Sequence, residues 1–185
     1  MRKIEKRSIF CLILAALLGL GLAFFCFQFV VDGGDWASYP YNRHLYNNAG
    51  QLKGGTILDR DGDMLSTLDE DGNRIYNDDA TVRRATLHAV GDKNGNIGAG
   101  ALTSFADKLS GYNLLTGVYS PLGTGNSLYL TIDAYLNNVA YQALNGMNGT
   151  VGVYNYKTGE ILCMVSTPTF DPANPPDIAA DDPAW

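Results

Sequence analysis

The sequence predicts an α+β protein that is tethered by a single transmembrane helix. Three patterns support this prediction: an apolar run over residues 9–31, short apolar strands around Asp-Gly turns over residues 54–73, and a strand, a helix and a hairpin over residues 127–165. They divide the chain into a cytoplasmic tail (1–8), a transmembrane helix (9–31), an extracytoplasmic module (32–125) and a last region (126–185).

The apolar run over residues 9–31 has the properties of an uncleaved membrane anchor. Its one polar side chain is Gln28, and as a helix it is about 34 Å long, enough to cross a bilayer core. It is too long for the apolar part of a signal peptide, and no Ala-x-Ala cleavage site follows it. Four basic residues precede it, which predicts a cytoplasmic N-terminus: Arg2, Lys3, Lys6 and Arg7.

The composition of the exported part excludes some partners. Residues 32–185 carry 9 Lys and Arg against 18 Asp and Glu, a net charge of −9, which disfavours nucleic acid and anionic lipid as partners. Cys163 is the single cysteine outside the apolar run, so no intrachain disulfide is expected there. It lies in an apolar strand, which favours a small buried hydrophobic residue over a reactive thiol.

Short elements are predicted for the middle module. Residues 55–66 have the pattern of a strand, a turn and a strand, with Asp61 and Gly62 in the turn. A second turn of this kind is predicted at residues 71–73. Residues 100–111 predict a short amphipathic helix that ends at Gly111.

The last region predicts a strand, a helix and a hairpin in that order. An alternating strand over residues 128–132 leads to Asp133, a predicted N-cap, and an apolar stripe predicts a helix over residues 134–144. Two β-branched strands over residues 151–155 and 161–165 predict a hairpin. The prolines beyond residue 167 prevent regular structure from continuing.

Two acidic runs have the alternation of calcium loops, but we favour turns for both. They contain Asp59, Asp61 and Asp63 in the first, and Asp69, Asp71 and Asn73 in the second. The glycine that such a loop needs at its sixth position is replaced by Met64 or Arg74. The first run still offers Glu70 at the twelfth position. His44 and His88 have no neighbouring ligand residues in sequence, so no metal site is predicted.

Several of these segments resemble class B penicillin-binding proteins, with penicillin-binding protein A of Gram-positive bacteria as the nearest type. Residues 55–65 are similar to the family signature Arg-Gly-x-Ile-x-Asp-Arg-Asn-Gly-x-x-Leu-Ala, with Gly54, Asp61 and Ser66 at the Arg, Asn and Ala positions. Residues 130–133 and 157–172 resemble the family's entry into its transpeptidase domain. The resemblance implies that residues 32–125 are a pedestal or dimerisation-like module, and that residues 126–185 begin an incomplete transpeptidase domain.

The family's chemistry is the cross-linking of peptidoglycan by a serine D,D-transpeptidase, in division or elongation. It requires Ser-x-x-Lys, Ser-x-Asn and Lys-Thr-Gly motifs. No serine of this chain has Lys three residues later or Asn two residues later. Residues 157–159 spell Lys-Thr-Gly, but they occupy the predicted hairpin turn. We therefore predict no catalytic, cofactor-binding or metal-binding residue, and expect this chain, truncated before the nucleophile, to be inactive alone.

Two functional hypotheses follow. The first is the anchoring and pedestal portion of a D,D-transpeptidase, whose partners would be the membrane, other membrane proteins of division or cell-wall synthesis, and peptidoglycan precursors through the missing domain. The second is a short, non-catalytic membrane protein that regulates the same machinery. Neither hypothesis includes a cofactor or a nucleic acid.

Overall fold

The computed structural model describes residues 2–37, 54–111, 115 and 125–176. It confirms the predicted α+β class, with one long N-terminal helix followed by short strands and helices. The helices are α1 (Arg2–Ala37), α2 (Ala80–Val90), α3 (Ala101–Ser104), α4 (Ala106–Leu109) and α5 (Ala134–Leu144). The strands are β1 (Ile57–Leu58), β2 (Met64–Leu68), β3 (Arg74–Tyr76), β4 (Leu128–Tyr129), β5 (Gly149–Tyr154) and β6 (Ile161–Thr167).

Helix α1 extends beyond the predicted transmembrane run at both ends. Its part from Lys6 to Ala37 is long and apolar enough to cross a membrane, and its large apolar side chains are exposed. Exposed leucines and phenylalanines along a whole helix suit a lipid environment, which needs no polar face. Of the predicted segment after residue 31, residues 38–53 lie outside the described residues.

Strands β1 to β4 form one sheet in the order β3-β2-β1-β4. Strand β2 is antiparallel to β1 and β3, whereas β4 is parallel to β1. Both predicted turns are confirmed: Gly62 joins β1 to β2 with φ 92°, and Gly72 joins β2 to β3 with φ 80°. These positive φ values favour glycine, which has no Cβ to clash with the backbone.

The helices differ in how well the sequence predicted them. Helix α2 was not predicted, because its buried residues (85–87, 89 and 90) do not form a simple stripe and its first turns contain β-branched side chains. Asp79 caps it by accepting a hydrogen bond from Thr81 N at 2.7 Å. The helix predicted over residues 100–111 is instead two short helices that meet at Phe105, where φ is −121°.

The last region folds as predicted over most of its length. Helix α5 has the predicted bounds, and β5 pairs with β6 in an antiparallel hairpin. The predicted strand over residues 128–132 is shorter, with β4 covering two residues. Cys163 is fully buried between the hairpin and α5, in a small core with Ala140 and Val165, as expected for an apolar role.

The larger core contains residues from both sides of the predicted boundary at residue 125. Ile57 and Leu65 of the first sheet strands pack in the same cluster as Ile132 and Ala134, which precede and begin α5. Helix α2 packs against both α5 and β6. The described parts of the middle module and of the last region therefore share one hydrophobic core.

Three backbone segments cross where glycine is the only residue that fits. The carbonyl of Leu109 accepts hydrogen bonds from Gly55 N at 3.0 Å and Asn126 N at 3.2 Å. A Cβ on Gly55 would lie 1.6 Å from the carbonyl oxygen of Asn126, and one on Gly125 would lie 2.1 Å from Gly55 N. Backbone atoms at such distances cannot be relieved by a rotamer change. We call this contact of residues 54–55, 109 and 125–126 the glycine crossing.

We predict that Gly55→Ala destabilises the protein by about 3 kcal/mol or more, because the new methyl group forces the crossing backbone segments apart. Gly152→Ala is the matched control: it lies in strand β5 and its Cβ would meet nothing within 4 Å. The control should change stability by less than about 0.5 kcal/mol. Urea unfolding of both variants in detergent micelles measures the difference, and equal stabilities would contradict the close packing of the crossing.

Candidate functional site

Asp59 lies at the centre of the best-built polar arrangement in the described residues. The side chain is 1% exposed, directly after strand β1. Its Oδ1 accepts hydrogen bonds from Asp61 N and Asp63 N, each at 2.9 Å, and its Oδ2 accepts one from Ala134 N at 3.1 Å. One carboxylate thus closes the β1–β2 turn and binds the first residue of helix α5, 75 positions away in the chain.

Backbone hydrogen bonds surround this carboxylate and join the same segments. Arg60 N donates to Ile132 O at 3.0 Å, and Asp133 N donates to Leu162 O of β6 at 2.9 Å. Asp133 also caps α5 as predicted, with its Oδ1 accepting from Leu136 N at 2.9 Å. The turn after β1, the start of α5 and the start of β6 therefore meet at one place, which we call the Asp59 joint.

The second Asp-Gly turn of the chain provides an internal comparison. Asp69 Oδ1 accepts hydrogen bonds from Asp71 N at 3.0 Å and Asn73 N at 2.7 Å, in the same pattern as Asp59. The hydrogen bonds from Asn73 hold the pKa of the Asp69 carboxyl below its ordinary value. This turn lies in solvent, whereas the Asp59 turn reaches a helix, so the same local motif has a tertiary role only at Asp59.

The structure brings Asp133, from outside the first acidic run, beside Asp59 and Asp61. Oxygen atoms of Asp59, Asp61 and Asp133 lie within 4.8 Å of one another, so the group that could hold a cation is not the sequence-local set with Asp63. The three hydrogen bonds from backbone N–H groups satisfy the Asp59 carboxylate without an ion. The hydrogen bonds of Asp59 and Asp133 close the turn and cap helix α5.

A buried arginine supports the glycine crossing and was not predicted. Arg74 is 4% exposed, and its guanidinium donates to the carbonyl oxygens of Gly54 and, at 2.8 Å, Gly55. Burial lowers its pKa to about 10. A Cβ on Gly54 would lie 2.9 Å from Leu109 O, closer than real Cβ atoms approach a backbone oxygen. Nothing local in the sequence indicates that Arg74 reaches this place.

The remaining sequence candidates have simple structural roles. Residues 157–159 lie in the β5–β6 turn as predicted, where Asn155 N donates to Glu160 O at 2.8 Å and Gly159 has φ 80°. His88 is half-buried on α2, and burial lowers its pKa. His44 lies outside the described residues.

Two curated proteins resemble a segment of this chain. The peptidoglycan D,D-transpeptidase MrdA of Acinetobacter baumannii is 48% identical over 48 residues, which cover 26% of this chain and 7% of that protein. The protein of the same name from Haemophilus influenzae is 41% identical over 51 residues, covering 28% of this chain and 8% of the relative. The matched segments therefore span less than a tenth of these relatives. No protein-family model matches the chain.

The predicted resemblance to class B penicillin-binding proteins is confirmed over these segments. The fold is consistent with this sequence similarity. The crystal structure of Pseudomonas aeruginosa PBP2 in complex with WCK 5153 superposes with a TM-score of 0.51 and 24% identity, over 66% of this chain and 29% of that one. At this identity the superposition is evidence for the fold alone. It is consistent with the predicted α+β fold, over a stretch that corresponds to 29% of the length of that chain.

We predict that Asp59→Ala costs about 3 kcal/mol of stability, because the buried Ala134 N and the part-buried N–H groups of Asp61 and Asp63 lose their acceptor. Asp69→Ala is the matched control, since it removes the same turn hydrogen bonds at an exposed site and should have a much smaller effect. Denaturant unfolding followed by circular dichroism measures both. Equal losses for the two variants would show that the contact with Ala134 contributes nothing.

Proposed function

We propose that this chain is the anchoring and pedestal portion of a peptidoglycan D,D-transpeptidase, together with the start of its transpeptidase domain. The observation that carries the proposal is the kinship with two proteins named peptidoglycan D,D-transpeptidases. The Asp59 joint supports the role assigned to this portion, because it binds residues 59–63 to the segment that begins helix α5.

Anchoring is assigned to helix α1. Its apolar part is long enough for a bilayer, and the basic residues before it favour a cytoplasmic N-terminus with the rest of the chain outside. Residues 32–125 then act as the pedestal and residues 126–185 as the start of the transpeptidase domain. In the extracytoplasmic space the pedestal holds that domain near the site where peptidoglycan is cross-linked.

The positioning role follows from how the pedestal and the later region are joined. Strand β4 adds to the pedestal sheet, and Ile132 and Ala134 pack in the pedestal core. Two parts of a chain that share a sheet and a hydrophobic core keep a fixed relative position, whereas parts joined by a flexible linker do not. The pedestal therefore sets the position and orientation of the start of the transpeptidase domain.

Two features of the β5–β6 hairpin favour the hypothesis that it belongs to a larger domain over the alternative that the chain is a short regulatory protein. Among the described residues, β5 pairs with β6 and with no second strand. Val153, Tyr154 and Ile161 at its turn end are exposed by 38%, 69% and 47%. A sheet edge with exposed apolar side chains is suited to further strands.

Acylation is assigned to residues of the whole protein that this sequence does not contain. Acyl transfer needs an activated serine, and no Ser-x-x-Lys occurs here. Residues 157–159 are placed in a turn, where they serve the hairpin. The partners proposed for this portion are the membrane and other membrane proteins of division or elongation.

The topology is tested with a periplasmic-type reporter enzyme fused after Trp185. We expect activity only outside the cytoplasm, because four basic residues precede the apolar helix. A matched fusion that lacks residues 2–31 should leave the reporter inactive in the cytoplasm. Activity of a cytoplasm-specific reporter at the same position would contradict the orientation.

The proposal that no serine of this chain is acylated is tested with a fluorescent penicillin. The purified chain should not be labelled, whereas a complete penicillin-binding protein in the same reaction should give a band that survives boiling in detergent. Stable labelling of a serine of this chain would overturn the assignment of a non-catalytic role.

A further inference from the structure

Helix α4 lies against the outer end of the apolar helix α1. The two helices are in contact, and the side chains described for α1 are exposed as far as Phe27. The described residues of α1 that have reduced exposure begin at Gln28, and Gly33 is buried. The contact with α4 is therefore made by the last turns of α1, where the apolar run ends.

The chain holds α4 at this place from a second direction. Gly55 N donates to the carbonyl of Leu109, the last residue of α4, at 3.0 Å. The connection from α1 to this point comprises residues 38–53, which would span about 50 Å if they were extended. Both ends of that connection nevertheless lie beside α4. The first sheet is thus held close to the end of α1.

The residues at the outer end of α1 indicate the depth of the bilayer surface. Trp36 is exposed, and its ring centroid lies 6.3 Å from that of Phe25 in the apolar run. Tryptophan is enriched where the hydrocarbon core meets the headgroups. At the helical rise, the buried Gly33 lies only about 3 Å beyond Val31, the end of the apolar run. Helix α4 is therefore placed at the level of the lipid headgroups.

Phe105, where α3 meets α4, does not enter the core that its neighbours enter. Leu109 is fully buried and Leu102 packs against the larger core. A continuous helix would put Phe105 on the same face, because the three positions are three and four residues apart. The break at Phe105, with φ −121°, instead leaves this side chain 42% exposed. A large apolar side chain is thus accessible within one short helix of the contact with α1.

We propose that the α3–α4 segment is a second membrane contact, in which Phe105 enters the headgroup region of the bilayer next to α1. The inference rests on the proposed anchoring by α1, and the partner is the same lipid surface that α1 crosses. The first sheet is then held against the bilayer at two places, which restricts its tilt about the end of α1.

The proposed contact is apolar and does not depend on anionic lipid. The exported part carries 9 Lys and Arg against 18 Asp and Glu, so its charge does not attract an anionic surface. Within α4, Lys108 Nζ lies 3.6 Å from Asp107 Oδ2, and the two charges balance. Transfer of an aromatic ring out of water into the interface is favourable without charge attraction. Zwitterionic phosphatidylcholine is therefore a sufficient partner.

The contact is tested by tryptophan quenching on the full chain in phosphatidylcholine vesicles. The parent variant carries Trp36→Phe and Trp185→Phe, and a single tryptophan is added as Phe105→Trp, Leu20→Trp or Val139→Trp. The quencher is phosphatidylcholine with bromine atoms either near the headgroup or deep in the acyl chains. Phe105→Trp should lose about half of its fluorescence to the shallow bromine and less to the deep bromine, because its ring lies at the interface.

Two reference positions make the result decisive. Val139 is 45% exposed on α5, which packs on α2 and β6, so Val139→Trp should be quenched by neither lipid. Leu20→Trp lies within the apolar run and should be quenched most by the deep bromine. Equal quenching of Phe105→Trp and Val139→Trp, with Leu20→Trp quenched, would overturn the second contact and leave the anchoring by α1 in place. Absence of quenching at Leu20→Trp would overturn the anchoring itself, and this inference with it.

Discussion

The buried carboxylate of Asp59 is the constraint on which the other contacts of this region depend. It is buried, and a buried carboxyl group is costly without hydrogen-bond donors. Two backbone N–H groups of its own turn and one from the start of helix α5 supply them. These three hydrogen bonds place the β1–β2 turn against the first residue of helix α5. Once these are joined, β4 lies beside β1 and the start of β6 lies beside Asp133, so sheet, helix and hairpin take up their relative positions.

At the glycine crossing, the close contact of distant segments depends on the absence of side chains. Three backbone segments approach one another more closely than a Cβ atom would allow. The carbonyl groups of Gly54 and Gly55 are buried as a result. Arg74 supplies donors to both, at the cost of burying a guanidinium whose pKa falls to about 10. A buried polar group is stable at each place because its partners are fully provided.

The three polar contacts between distant segments differ in burial, and this difference suits different roles. Asp59 and Arg74 are enclosed and connect elements of the shared core, so they are expected to open only when the protein unfolds. The Arg83–Asp171 pair is partly exposed and holds an irregular segment beside a cleft. The two enclosed contacts suit a rigid connection among the first sheet, helix α5 and the crossing backbone segments.

Local chemistry in the sequence was sufficient for helix α1, both Asp-Gly turns, helix α5 and the β5–β6 hairpin. The length of an apolar run, the residues of a turn and the cap of a helix depend on contiguous or neighbouring residues. Their structural consequences can therefore be predicted from the sequence alone. Helix α2 was missed because the burial of its irregular apolar set depends on α5 and β6 packing around it. The contacts of Asp59 with Ala134, of Arg74 with Gly54 and Gly55, and of Arg83 with Asp171 were decided by tertiary structure. Each joins residues far apart in the chain. Asp59 and Asp69 close similar turns, but the fold brings a helix only to Asp59.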